Sequence, residues 1–392
     1  MKVTGFEILR VPPSWVWLRI LTDTELVGLG EPYLEGQPEA VISEVRRLES
    51  IVVGQDPLDR ARLWQRMYDS GMGYRGGPVT MSAISGIDMG LWDLAGKAHG
   101  MSIASLLGGH MRKSVRMYRA AGPWLPAFPT PGQAYGEVST AARDDRDGWS
   151  RGIEASAELG FTALKVHVKP PHSVTSTTRE VDRIIERFAW ARETVGSDVD
   201  LALDVHDPPA VISAQIAAGV AAYRPLFVEE PVAQENVSSL NRITNASTVP
   251  IAAGERWVGR WAFLAALTAA HLDVIQPDLA HAGGLTELQR IEAISSTFGA
   301  SIAPHCPLSP IALTATLQFD AYAPSFLVQE HNEVNGTLDR AGRYRVGAGY
   351  LAEPFTLSDG AFDVPESAGL GVALDERGLD DILRRSWSVE RG

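Results

Sequence analysis

Six residues able to bind a cation or move a proton recur along the chain at a near-constant interval. They are Asp204, Glu229, Glu255, Asp278, His305 and Glu330, and their positions differ by 25, 26, 23, 27 and 25. The first three are carboxylates, and the all-oxygen ligand set they offer suits a hard divalent cation, Mg²⁺ first. Crowded together without a cation they would repel one another, and some would take up protons. Glu230 follows Glu229 but points to the other side of an extended strand, so only one of the two can be a ligand, and Glu229 is the one expected. His305 and His206 are the candidate proton carriers. Asp278 is the expected neighbour of His305, where a carboxylate accepting one imidazole N–H fixes the tautomer and raises the basicity of the other nitrogen. A cation that holds a substrate carboxylate also stabilises the charge formed when the adjacent C–H loses its proton. One histidine then takes that proton, and a second on the opposite face protonates a departing hydroxyl. The product is an enol that becomes a 2-keto acid.

These side chains need elements that converge. Each of the six ends a short apolar run, and a strand, a loop and a helix together take roughly 25 residues. The spacing predicts eight parallel strands, at 115–120, 162–168, 199–204, 225–229, 250–254, 273–277, 300–304 and 326–330. In a closed barrel all their C-terminal ends lie on one face, and the third and seventh strands stand opposite each other. His206 and His305 would then approach a substrate from two sides. Ahead of this regime, residues 1–31 read as a short antiparallel meander and residues 38–53, 57–69 and 78–98 as helices. A proline-rich stretch at 123–150 reads as a long loop after the first barrel strand, and residues 340–392 as turns, short strands and a final helix at Asp375–Trp387. Gly71-Met-Gly-Tyr-Arg-Gly matches G-x-G-x-x-G but follows a helical run instead of a strand, which excludes a dinucleotide fingerprint.

Bulk properties narrow the partners. The formal net charge of −13, with no Lys/Arg cluster, argues against nucleic acid and anionic membranes. Cys306 is the single cysteine, so neither an intrachain disulfide nor a thiolate metal site is possible, and a cytoplasmic setting is expected. No run of about eighteen apolar residues is present, so no membrane span is expected. A small molecule is the expected partner.

Several motifs together carry a family likeness: Tyr74-Arg-Gly-Gly-Pro, Ser82-Ala-Ile-Ser-Gly-Ile-Asp, Leu203-Asp-Val-His, Phe227-Val-Glu-Glu-Pro, Ala252-Ala-Gly-Glu-Arg, Gln276-Pro-Asp-Leu-Ala-His-Ala-Gly-Gly, Ala303-Pro-His-Cys-Pro and Val328-Gln-Glu. On these the chain resembles the enolase superfamily, in its mandelate racemase-like subgroup, over nearly its full length. The resemblance implies a modified TIM barrel, (β/α)₇β, under an α+β capping domain: residues 1–115 as the cap, 116–340 as the barrel and 341–392 completing the cap. It implies Mg²⁺ at Asp204, Glu229 and Glu255, and His305 with Asp278 as the base that removes a C2 proton. It implies His206 as the acid that assists loss of a C3 hydroxyl, and Glu330 as a substrate contact. The expected reaction is dehydration of a sugar acid, a D-galactonate-like aldonate, by a homo-oligomer. Other aldonates or aldarates, racemisation on the same scaffold and, more remotely, a non-catalytic metal–acid binding barrel stand as alternatives. Where many members carry Lys-x-Lys, this chain reads Lys165-Val-His167, which disfavours a lysine base. Lys165 and His167 at the end of the second barrel strand, and Trp17, Tyr74 and Arg75 in loops over the mouth, are expected to contact the substrate.

Overall fold

The structure is a computed structural model that describes residues 1–123, 144–169, 173–331 and 336–388. Three antiparallel strands open the chain: β1 (Val3–Val11), β2 (Trp15–Thr22) and β3 (Val27–Gly30). Helices α1 (Pro38–Val52), α2 (Arg60–Asp69), α3 (Pro78–His99) and α4 (Ile103–Leu107) follow. Val41, Val45, Leu48 and Val52 repeat every three or four residues on α1 and are fully buried, the single apolar stripe of a surface helix. Helix α3 is buried from Met81 to Gly96, because small residues let its neighbours approach on all sides. A Cβ on Gly30 would lie 2.0 Å from the carbonyl oxygen of Gly86. Only a glycine lets β3 run that close to α3, and the contact aims the next residues, Glu31 to Tyr33, at the barrel.

The barrel strands are β4 (Ser114–Ala121), β5 (Ala163–His167), β6 (Asp200–Asp204), β7 (Val228–Glu229), β8 (Ile251–Ala253), β9 (Val274–Ile275), β10 (Ser301–Ile302) and β11 (Gln329–Glu330). They pair in parallel in sequence order from β4 to β10, and β11 returns to pair with β4. A parallel bridge between Ile302 and Phe326 joins the last gap and closes the ring. Between and behind the strands lie α5 (Arg146–Glu158), α6 (Thr178–Val195), α7 (Ala210–Val220), α8 (Leu240–Thr244), α9 (Gly259–Ala270), α10 (Leu279–Ala282), α11 (Gly284–Phe298) and α12 (Pro310–Tyr322).

All eight expected barrel strands are present, most of them shorter than the apolar runs that announced them. The hydrogen-bonded ladder of β7 covers only Val228–Glu229 of the expected 225–229. The expected helix at 57–69 begins at Arg60. The loop expected to reach residue 150 ends sooner, because Asp145 accepts from the Gly148 amide and caps α5; residues 124–143 of it lie outside the described residues. The final helix, α13, spans only Glu376–Leu383.

The tail touches both parts of the molecule. Strands β12 (Gly336–Leu338), β13 (Tyr344–Val346) and β14 (Phe355–Thr356) form a small sheet, and β15 (Ala361–Asp363) pairs with the start of β4. Farther on, Glu376 meets Arg19 at 2.9 Å and the Trp387 indole donates to the Trp15 carbonyl at 2.9 Å. No helix among the described residues is long and apolar enough to cross a membrane.

Candidate active site

The barrel is filled by one side chain from each strand line: Tyr118, Ala163, Ala202, Phe227, Ala252, Val274, Ala303 and Val328, all buried. Inward positions recur every second residue along a strand. Two residues beyond Ala163, Ala202, Phe227, Ala303 and Val328 therefore come Lys165, Asp204, Glu229, His305 and Glu330. An apolar plug thus carries a polar layer directly above it, at the strand C-terminal ends.

Lys165 occupies the middle of that layer. Its Nζ lies 2.8 Å from Glu229, 2.7 Å from Glu330 and 3.4 Å from Asp204. Burial opposes its charge, but Glu229, Glu330 and Asp204 outweigh that and hold its ionisation well above the usual lysine range. Lys165 therefore remains an ammonium, and a fixed counter-charge to the carboxylates. Glu229 is pushed up to about 8 by burial, against the pull of Lys165, with Asp204, Glu330 and Glu255 adding to the rise. Glu255 reaches the layer differently. Strand β8 ends at Ala253, and Gly254 turns the chain at φ 134°, where a Cβ would meet the Phe263 ring at 2.9 Å. Glu230 points away as expected: it accepts from the Gly254 amide at 2.8 Å and pairs with Arg256, which also grips Asp207 at 2.6 Å.

The two histidines flank the layer from β6 and β10. His305 Nδ1 lies 2.8 Å from Asp278 Oδ2, and its Nε2 lies 3.6 Å from Glu255 and 3.9 Å from Glu330. Burial works against its protonation, yet Glu255, Glu330 and Asp278 together push it up to about 10. His206 Nδ1 lies 2.7 Å from Asp204 Oδ1, with Nε2 4.0 Å from Glu255. It is pushed up to about 9: burial opposes, and the Asp204 bond, the Asp204 charge and Glu255 prevail. His206 does not gain this place by continuing its strand, as the sequence suggested. β6 ends at Asp204, and His206 (φ 41°) and Asp207 (φ 64°) turn back in the left-handed region.

Oxygen donors suit a divalent cation here. Among the described residues neither Asp204 Oδ2 nor Glu229 Oε2 accepts a hydrogen bond, although both are buried, and the ammonium near Asp204 Oδ2 stands 3.4 Å away. Buried carboxylate oxygens in that state leave room for a closer positive partner. The three acids are nonetheless spread wider than ligands around one ion. Among the described residues the trio whose ligand atoms all lie within 4.8 Å of one another is His167, Asp204 and His206.

The expected cap contacts fare unevenly. Trp17 is 2% exposed and its indole N–H donates to Ser309 Oγ at 2.7 Å. It packs against Tyr350 and anchors the start of α12, and no contact among the described residues ties it to the strand-end layer. Tyr74 is 92% exposed, and Arg75 is engaged by Asp69 at 3.1 Å. No contact among the described residues ties either to the strand-end layer. The loop after β3 does reach it. Glu35 lies 3.1 Å from His281 Nε2, which is also 3.8 Å from Asp278, while Ser82 lies 3.0 Å from His281 Nδ1. His281 went unrecognised in the sequence; its place three residues after Asp278, at helical spacing, was the available signal.

Glu31 was also missed. Its carboxylate accepts from the amides of Ser309 (3.1 Å) and Ala312 (3.0 Å) and from the Ser309 hydroxyl. It thus ties the cap to the start of α12, four residues after His305. Glu31→Ala is expected to lower stability by about 3 kcal/mol, because two buried amides lose a charged acceptor. Thermal unfolding reads this directly, and an unchanged midpoint would show that the anchor contributes nothing.

Family profiles match this architecture. Residues 11–108 match the mandelate racemase / muconate lactonizing enzyme N-terminal domain, and residues 150–378 match the enolase C-terminal domain-like family. The chain belongs to the enolase superfamily, in its mandelate racemase / muconate lactonizing enzyme family. A D-galactonate dehydratase of Pectobacterium atrosepticum is 37% identical over 382 residues, covering 96% of this chain and 93% of that protein. Another, from Cronobacter sakazakii, is 37% identical over 392 residues, covering 98% and 94%. Among solved structures, an enolase from Agrobacterium radiobacter with Na and L-malate bound superposes with a TM-score of 0.82 at 27% identity, covering 99% of this chain and 96% of that one. A mandelate racemase/muconate lactonizing enzyme from Jannaschia sp. CCS1 gives 0.84 at 26% identity, covering 98% of each.

Proposed function

We propose that this protein is a hydro-lyase that dehydrates a sugar acid, with D-galactonate the first substrate to test. The observation that carries this reading is the pair of histidines on opposite sides of one carboxylate layer, each backed by its own carboxylate: His305 on Asp278 and His206 on Asp204. The D-galactonate dehydratases that align over nearly the whole chain support the choice of substrate.

In this reading Asp204, Glu229 and Glu255 would hold Mg²⁺, drawn closer together than they stand in this structure, with Lys165 and Glu330 beside the substrate carboxylate. When bound, the cation supplies positive charge against which the substrate carboxylate and the charge developing on it are held. His305 takes the C2 proton on Nε2 while Asp278 holds Nδ1. Its pull toward protonation comes chiefly from Glu255 and Glu330, so His305 becomes available as a base once those charges are engaged. His206, protonated at neutral pH, gives its Nε2 proton to the C3 hydroxyl, which leaves as water. The C2–H electrons become the C2–C3 double bond, and the enol tautomerises to a 2-keto-3-deoxy acid. The test is incubation with a panel of sugar acids and Mg²⁺, followed by assay for a 2-keto product. No product from any aldonate or aldarate rules the reading out. A two-base racemase would use the same histidine pair; in D₂O it returns the six-carbon acid labelled at C2 instead of accumulating a keto acid.

The same reading divides the chain into a cap (1–115), a barrel (116–340) and a tail that completes the cap (341–392). It also makes the protein a cytoplasmic homo-oligomer, a dimer or larger. Two family matches, one ending at 108 and the other beginning at 150, support this division.

Cation binding should release protons. Glu229 at about 8 and His305 at about 10 both hold protons at pH 7.5 in the cation-free protein. A ligand carboxylate must lose its proton to bind, so affinity should strengthen as pH rises toward 8 and weaken below 7. Calorimetric titration with Mg²⁺ in two buffers of different ionisation enthalpy should show release of about one proton. Buffer-independent heats would contradict this.

A further inference from the structure

The imidazoles of His167 and His206 lie face to face, with centroids 4.6 Å apart and planes 4° from parallel. We propose that His167 is a positioning residue whose ring acts as a flat backstop for His206, holding the proton donor at the angle that points Nε2 into the pocket. The proposal rests on the reading of His206 as the acid for the departing hydroxyl.

Two features leave His206 in need of such support. It lies beyond the end of β6, on a left-handed turn, so no strand ladder fixes its backbone. Its side chain is 40% exposed, and its close polar contact is Nδ1 to Asp204 Oδ1 at 2.7 Å. An imidazole held through one close polar contact can still rotate about that contact. A second ring pressed on its face removes this freedom, since a tilt would push the rings together. His167 is well placed to do so. It is the last residue of β5 and the register partner of Asp204 on β6, so the strand ladder that fixes Asp204 also fixes the backstop beside it. The ring that steadies the donor and the carboxylate that orients it thus come from adjacent, directly paired backbone positions.

The geometry also limits what else His167 does to its neighbour. Imidazole N–H bonds and lone pairs lie in the ring plane. Two parallel stacked rings therefore cannot hydrogen-bond to each other through those atoms, so His167 is not a proton relay to His206. For the same reason their lone pairs run side by side instead of converging on one ion, although the ligand atoms of His167, Asp204 and His206 lie within 4.8 Å of one another.

The test compares His167→Phe, which keeps a flat ring, with His167→Asn and His167→Ala, which do not. Each variant is assayed with Mg²⁺ and the best sugar acid for 2-keto product and, in D₂O, for exchange of the C2 proton. Asn and Ala should slow product formation by about ten- to a hundredfold, the scale of a small misplacement of a reacting group. Exchange, which depends on His305, should stay within about threefold of wild type. Phe should keep both rates near wild type. If Phe loses as much product formation as Ala, the nitrogens of His167 matter and the backstop is wrong. Equal loss of exchange and product in Ala also overturns it, since His167 would then act on the base or on substrate binding. Unchanged product formation in Ala overturns it as well. Side-chain NMR of ¹⁵N-histidine protein without substrate gives an independent readout: one set of sharp His206 imidazolium N–H signals in wild type and Phe, and exchange-broadened signals in Ala. If wild type makes no keto acid from any sugar acid, the dehydratase reading fails, while the NMR comparison still decides the stack.

Discussion

His305→Asn is expected to abolish both dehydration and exchange of the C2 proton, each by about a thousandfold or more, within the range general base catalysis supplies. Asparagine cannot take a proton at the position of Nε2. His206→Asn is expected to separate the two activities. Dehydration stops for want of a proton donor, while C2 exchange, which needs only the base and the cation, remains measurable. Asp278→Asn should resemble a weakened His305 variant, slower by about ten- to a hundredfold, because the imidazole loses the carboxylate that orients it. Proton NMR in D₂O follows exchange and a keto-acid assay follows elimination in the same sample. If His206→Asn loses exchange and His305→Asn keeps it, the two roles are reversed. If both variants still dehydrate, neither is the acid or base and Lys165 becomes the residue to examine.

Asp204→Asn, Glu229→Gln and Glu255→Gln are each expected to lower activity by more than the roughly hundredfold typical of outer partners of a metal site, because each removes a full ligand charge. The three should differ in a second measurement. Asp204 also holds His206 and Lys165, so its variant should lose the donor's alignment together with the cation. Glu229 is bonded by Lys165 at 2.8 Å; above pH 8, where its carboxyl ionises, the neutral variant leaves that buried ammonium with one fewer counter-charge, and thermal stability should fall there. Glu255, turned in after β8 ended, should affect cation affinity with little effect on folding. Calorimetric Mg²⁺ binding beside thermal unfolding distinguishes these cases. Near-normal turnover in protein stripped with EDTA would contradict the cation reading for all three.

The chain's own residues settled the repeating unit. A parallel strand must be followed by a crossover of fixed minimum length, so an apolar run capped by an acid or histidine every 25 residues or so could fold as little other than a barrel with those groups on one rim. The period of two along a strand is local as well, which is why Asp204, Glu229, His305 and Glu330 were legible as one inward-facing layer and Glu230 as its outward neighbour. Contacts between remote elements were not legible. Trp17 looked like a loop residue over the mouth, yet its burial depends on Ser309, 292 positions away. Glu31 gains its role from the amides that open α12, and His281 from Glu35 and Ser82 on the cap. The left-handed turn at His206 ended a strand that alternation alone would have extended, and only that turn stacks its ring on His167. Lys165 could be placed at a strand end from sequence, but its position among three carboxylates required the closed ring that brings β5, β6, β7 and β11 together. Spacing along the chain determines which residues share a rim. How close their side chains come across that rim, and which cap residues descend onto them, depends on packing between segments that the sequence holds far apart.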